Sequence, residues 1–326
     1  MPISLKPPAL QWEPDQQFRV STEDGSAIML GRYRPRGDLR RNTPVILAHG
    51  LGTNRFNLDF DERLSVARIL ARAGFEAWVL ELRGHGLVGD AASSSFDREA
   101  NFDVAAALKT VISTGATGVH WVGHSRGGLL AYAHLARFPQ APIRSIVAMG
   151  TPVKFDAQPG VRNFVNWVAP LLKLPVIPLS MAKLTSPLGL PPDPFGKYLL
   201  NAANVDPLII RQAMASLASD VPGGVARAFH RWLSTGVLDG DDGFQFLPAL
   251  KHMKLPVFLI AGSKDLLAPP VSTFAAAQHF GGPVETFEAG VKSGLSTDYG
   301  HGDLAIGRNA PTDIAARIVE FLSRVD

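Results

Sequence analysis

The chain has 326 residues, 46% of them apolar, enough for one large domain or for a core carrying one insertion. Its 32 lysines and arginines against 29 acids leave a net charge of only +3; the densest basic run, Arg32, Arg34, Arg36, Arg40 and Arg41, is broken by Asp38 and reads as a solvated loop, so no nucleic-acid partner is expected. There is no cysteine, which excludes disulfides, thiolate nucleophiles and cysteine-ligated metals.

Met1-Pro2-Ile3-Ser4-Leu5-Lys6-Pro7-Pro8 lacks a charged start followed by an apolar stretch, so no signal peptide is expected and a cytoplasmic location is the default. Phe18–Thr22 and Ala27–Tyr33 flank Glu23-Asp24-Gly25-Ser26 and predict a hairpin. Pro44–Ala48 is a short apolar run ending in His49-Gly50-Leu51-Gly52. Arg63–Ala73 has helical spacing and stops at Gly74. Phe75–Leu82, another apolar run, ends in Arg83-Gly84-His85-Gly86. Asp103–Ser113 reads as a helix, Val119–Val122 as a buried strand, Ser125–Phe138 as a helix halted before Pro139, and Ile143–Met149 as a strand.

The alternation then breaks. Residues 151–253 are proline-rich and mainly helical, with helices expected over Leu208–Leu217, opened by Asp206-Pro207, and over Val225–Leu233, ended near Gly236. The apolar stretch Phe164 to Met181 is interrupted by Pro170, Lys173, Pro175 and Pro178, so no membrane-spanning helix is expected. Beyond it come strands at Val257–Ala261 and Val284–Phe287 and helices at Val271–Phe280 and Asp313–Leu322. Short apolar strands alternating with helices define an α/β chain with a mostly parallel sheet covered on both faces. Residues 1–150 and 254–326 supply that core, and residues 151–253 form a helical insertion. Ligand sites in such sheets lie just beyond the carboxyl ends of the strands.

Gly123-His124-Ser125-Arg126-Gly127 fits Gly-x-Ser-x-Gly. Chance alone gives about 0.2 such matches in a chain of this composition. The setting adds the weight: the serine ends a buried strand and opens a helix, where two glycines permit a sharp turn and the helix terminus favours developing negative charge. A serine hydroxyl needs a base to take its proton. His301, in Tyr299-Gly300-His301-Gly302-Asp303, lies between the last strand and the closing helix. Asp265 follows the strand Val257–Ala261 and supplies the carboxylate that orients such a base. Asp303 is a rival acid, more suited to ordering the histidine loop, and Asp156, after the strand Ile143–Met149, is a third.

These residues, in the order serine, aspartate, histidine, resemble the α/β-hydrolase superfamily along nearly the whole chain, with the insertion resembling a cap domain. Val119-His120-Trp121-Val122-Gly123-His124-Ser125 and Gly300-His301-Gly302-Asp303 look most like lipases and esterases, with acid lipases and polyhydroxyalkanoate synthases as nearer relatives. The resemblance implies a Ser125, Asp265, His301 triad and an oxyanion hole made by the backbone N–H groups of Leu51, in His49-Gly50-Leu51-Gly52, and of Arg126. Glu81-Leu82-Arg83-Gly84-His85-Gly86 matches a structural turn that more often starts with aspartate. Arg126 replaces the apolar or amide residue common there. Only its backbone is needed, so its side chain is expected to bear on selectivity. His49, His85 and His124 are expected to shape loops and packing.

The implied reaction is cleavage of a small-molecule or lipid-like carboxylic ester through an acyl-enzyme, without cofactor or catalytic metal. An acyltransferase using the same intermediate, or an inactive ligand-binding relative, is the alternative. Within the insertion Phe164, Trp167 and Leu171 have helical spacing and are expected to line an acyl pocket, giving a preference for medium-length chains.

Overall fold

A computed structural model describes residues 10–89, 92, 94–155, 169–189 and 195–326. The central sheet has eight strands: β1 (Gln16–Ser21), β2 (Ala27–Tyr33), β3 (Val45–Ala48), β4 (Ala77–Glu81), β5 (Val119–His124), β6 (Ile143–Met149), β9 (Val257–Gly262) and β10 (Val284–Ala289). They lie in the order β1-β2-β4-β3-β5-β6-β9-β10. The β1–β2 and β2–β4 pairs are antiparallel and the others are parallel.

Side chains alternate across a strand, and here both directions are apolar. Ile46, Trp78, Trp121 and Ile146 point to one face, where they meet the helices Val104–Ile112 and Arg126–Arg137. Val45, Leu47, Val79, Val122 and Val147 point to the other, where they meet Val66–Arg72 and Ala316–Val325. The central strands are therefore continuous apolar runs. The edges differ: β1 alternates between half-buried and exposed, and β10 puts Glu285 and Thr286 in solvent.

Several element limits shift for local reasons. The helix expected from Arg63 starts at Val66, because the Ser65 side chain accepts from Arg68 N–H. The helix expected at Asp103 is reached from Phe96 through a widened π turn at Glu99–Asp103, whose two acids are buried. Asp206 precedes the helix Pro207–Ser216 as foreseen, but its carboxylate accepts from Arg308 Nε at 2.9 Å instead of capping that helix. After Phe274 the expected helix tightens into a 3₁₀ segment, Ala275–His279.

Between β6 and β9 the chain carries the helix Gly223–Thr235, ended by Gly236 at φ 73°, and a two-residue antiparallel ladder, β7 (Val176–Ile177) with β8 (Val221–Pro222). Leu172 packs against the small apolar cluster of Ile177, Val221 and Ala226, and so does Leu51 from the loop after β3. The segment thus sits against the carboxyl ends of the core strands. Among the described residues no helix is long and apolar enough to cross a membrane.

Candidate active site

At the end of β5 the chain reverses into the helix Arg126–Arg137 within one residue. Ser125 occupies that corner at φ 53° and ψ −117°, the only non-glycine residue with positive φ among those described. A methyl group at Gly123 would overlap the backbone of Gly127 and Gly128, and one at Gly127 would overlap the Ala48 carbonyl. Both glycines are therefore required by close approach of strand and helix. The corner is tied down by Ser125 N–H to Met149 O at 2.7 Å and by Thr151 Oγ1 to Ser125 O at 3.1 Å.

Backbone held in a sparsely populated region stores of order 1–3 kcal/mol. Ser125→Gly is therefore expected to exceed Ser125→Ala in stability by about 1 kcal/mol, after allowance for the larger unfolded-state entropy of glycine. Thermal or urea unfolding of the two variants measures this. Equal stabilities would show that the corner is unstrained.

The loop after β10 brings His301 over the carboxyl end of β9, where Asp265 stands. His301 Nδ1 lies 2.7 Å from Asp265 Oδ2. The other carboxylate oxygen accepts the Leu267 and Ala268 N–H groups, each at 2.8 Å. The Asp265 side chain is fully buried, with one oxygen held by two backbone donors and the other facing the imidazole. Gly150, next to the residue that accepts from Ser125 N–H, closes the site: a methyl there would sit 3.2 Å from both Asp265 Oδ2 and His301 Nδ1. Asp265 and His301 thus pair at the carboxyl end of β9 and in the loop after β10, on the sheet edge where β5 delivers Ser125. Asp303 lies apart from the imidazole. Its buried carboxylate accepts from Gly300 N–H, Asn201 N–H and Asn204 Nδ2, tying the histidine loop to the segment between β6 and β9. Burial pushes the Asp303 carboxyl up.

The loop after β3 lies against Ser125. Gly50 N–H donates to Asn57 Oδ1 at 2.9 Å, and the same oxygen lies 2.9 Å from His124 Nδ1. His124 Nε2 is 3.1 Å from the His301 carbonyl. Burial, then the neighbouring His301, hold the His124 pKa down to about 3, and the neutral ring donates to one of these two oxygens while packing between the loops. Among the described residues the Leu51 and Arg126 N–H groups have no protein acceptor.

Arg126 departs from the sequence expectation. Its guanidinium is wholly buried, 3.1 Å from Glu99 Oε1, so it cannot read substrate from a pocket wall. Burial pushes the Glu99 carboxyl up to about 7 against the pull of that cation. His49 and His85 pack edge to face beside it, and burial, with the Arg126 charge second, holds both far below the usual imidazole range. Glu81, also buried, pairs with Arg55 at 2.7 Å and accepts from Leu87 N–H at 2.8 Å, which closes the turn after β4.

Of the residues expected to line an acyl pocket, Phe164 and Trp167 lie outside the described residues, as does the rival acid Asp156. Leu171 lies at the surface, 38% exposed, on a 3₁₀ turn, and the helix expected through it is absent from the described part, Ala169–Lys173. Asn57, Gly150, Glu99 and Ser219 were not singled out. Gly150 alone carried a signal, standing at the carboxyl end of a predicted strand.

The chain belongs to the alpha/beta hydrolase family, whose model matches residues 45–306. It is 29% identical over 190 residues to gastric triacylglycerol lipase of Rattus norvegicus, covering 52% of this chain and 46% of that protein. It is also 29% identical over 156 residues to lysosomal acid lipase/cholesteryl ester hydrolase of Homo sapiens, covering 42% of this chain and 39% of that one. The matched region thus spans less than half the length of these curated relatives. Among solved structures, an esterase from Thermogutta terrifontis superposes with a TM-score of 0.64 at 20% identity, over 95% of this chain and 99% of its own. A monoacylglycerol lipase from Paleococcus ferrophilus superposes with a TM-score of 0.61 at 15% identity, over 92% and 99%. At those identities the superpositions speak for the fold.

Proposed function

We propose that this chain is a serine hydrolase of carboxylic esters, of the lipase and esterase type. The observation that carries the reading is Ser125 at a strained strand-to-helix corner, with, on the same sheet edge, an imidazole whose Nδ1 is 2.7 Å from a buried carboxylate. Ser125 Oγ attacks the ester carbonyl while His301 Nε2 accepts its proton. Asp265 keeps the Nδ1–H tautomer and stabilises the imidazolium. The Leu51 and Arg126 N–H groups receive the oxyanion, a contribution of roughly 10²–10³ in rate per donor. His301 then protonates the leaving alcohol and takes a proton from the water that attacks the acyl-enzyme; the bond to Ser125 Oγ breaks, the proton returns to Oγ, and the acid leaves. The lipases among the curated relatives support the ester as substrate class.

The insertion acts as a cap over this site, and its underside is apolar. Leu51, Leu172, Ile177, Val221 and Ala226 form one cluster beside the oxyanion loop. An acyl chain laid against it loses water contact at about 0.8 kcal/mol per buried methylene. Four additional carbons then raise kcat/KM by about two orders of magnitude. Rates on nitrophenyl esters from acetyl to palmitoyl test this, with a rise from acetyl to medium chains expected. Val221→Asn is expected to flatten the rise while acetyl ester hydrolysis continues. A wild type fastest on acetyl esters would refute the acyl-binding role of the cluster.

A further inference from the structure

The loop that supplies Leu51 is fastened to the insertion more firmly than a surface loop requires. Gly52 O accepts Ser219 N–H at 2.9 Å, and Leu51 packs among Leu172, Ile177, Val221 and Ala226. A methyl group at Gly52 would sit 2.9 Å from Leu179 Cδ1 and 3.5 Å from Val221 Cγ2, so insertion and loop are in van der Waals contact. The Ser219 side chain makes a second connection. Its Oγ is 3.1 Å from His85 Nδ1, and His85 Nε2 is 3.1 Å from Arg126 Nη1. A guanidinium only donates, so Nε2 of His85 is the acceptor and Nδ1 carries the proton given to Ser219 Oγ. All three side chains are buried. Arg126 is anchored in turn by Glu99 Oε1 at 3.1 Å.

The consequence is a continuous chain of contacts. It runs from Gly52, beside one oxyanion donor, through Ser219 and His85 to Arg126, whose own N–H is the other donor. We propose that Ser219 is a positioning residue for ester hydrolysis: with His85 and the Arg126 side chain it fixes the separation of the Leu51 and Arg126 N–H groups. This inference rests on the serine-hydrolase reading above. It assigns the buried Arg126 guanidinium, idle in the reaction itself, a mechanical task. It also makes the oxyanion hole complete only when the insertion is seated on the core.

Preorganised donors contribute through fixed placement, and a misplacement near 1 Å costs up to about 10² in rate. Ser219→Ala keeps the backbone bond to Gly52 and removes only the link to His85. It is expected to lower kcat about tenfold while KM and the melting temperature stay near wild type. Affinity for an alkyl boronic acid, whose adduct with Ser125 carries a tetrahedral anion, should fall in step with kcat. Ser219→Thr, which keeps the hydroxyl, should restore both. In a double-mutant cycle, His85→Leu should add little to Ser219→Ala, because the two break the same chain of contacts.

Unchanged kcat and boronate affinity in Ser219→Ala would overturn the proposal, as would a loss confined to KM or to thermal stability. A wild type that neither hydrolyses esters nor binds the boronate strikes the serine-hydrolase reading itself and takes this inference with it. The wild-type measurement therefore separates the two failures.

Discussion

Ser125→Ala is expected to lower ester turnover by roughly five to six orders of magnitude and to abolish covalent labelling by a fluorophosphonate. The residue has no substitute: among the described residues no other hydroxyl lies at a positive-φ corner, and the His301–Asp265 pair stands on the same sheet edge. The alanine variant should remain folded. Its main-chain bonds to Met149 and Thr151 involve only backbone atoms of residue 125, and the hydroxyl is not among the contacts that hold the corner. Labelling and turnover therefore report on chemistry, with circular dichroism as the control for folding. An alanine variant that still labels fully would place the nucleophile elsewhere. A folded wild type that neither labels nor turns over any ester would instead favour a ligand-binding member of the family that has lost the reaction.

The same corner explains why so much was legible in the sequence. The buried strand Val119–His124 is a run without a charge, and the glycines at 123 and 127 are demanded by backbone contact, so motif and geometry are one constraint. The strand-end rule pointed to Asp265 and the loop of His301 because parallel strands all deliver their carboxyl ends to one edge, and there the two side chains lie 2.7 Å apart. What stayed hidden is what distant segments decide. The β7–β8 ladder has two residues per strand, too few for any period to show. The fate of Arg126 depended on Glu99, 27 residues upstream, reaching it through a π turn that no local pattern announces. Ser219 is an ordinary serine until the fold brings it to His85, 134 residues away. Composition could count these groups but could not pair them.

The two acids near His301 separate by the kind of damage their amides do. Asp265→Asn should lower kcat by about four orders of magnitude, with KM little changed. The geometry gives the reason. The oxygen that accepts from Leu267 and Ala268 keeps its donors, so the new amide nitrogen takes the position of Oδ2, 2.7 Å from His301 Nδ1. An N–H there demands a lone pair on Nδ1, which moves the ring proton to Nε2. In that tautomer Nε2 cannot accept the proton of the Ser125 hydroxyl, and the imidazolium has also lost its counter-charge. Asp303→Asn faces different neighbours. Its two oxygens accept from Gly300, Asn201 and Asn204, all of them donors, so an amide nitrogen there meets N–H groups and loosens the loop. Its cost should be chiefly in stability, about 1–3 kcal/mol for a buried donor left unsatisfied, with a kcat loss of about tenfold as His301 drifts. Thermal unfolding and steady-state kinetics on both variants decide between the acids. A larger kcat loss in Asp303→Asn than in Asp265→Asn would transfer the role of triad acid to Asp303.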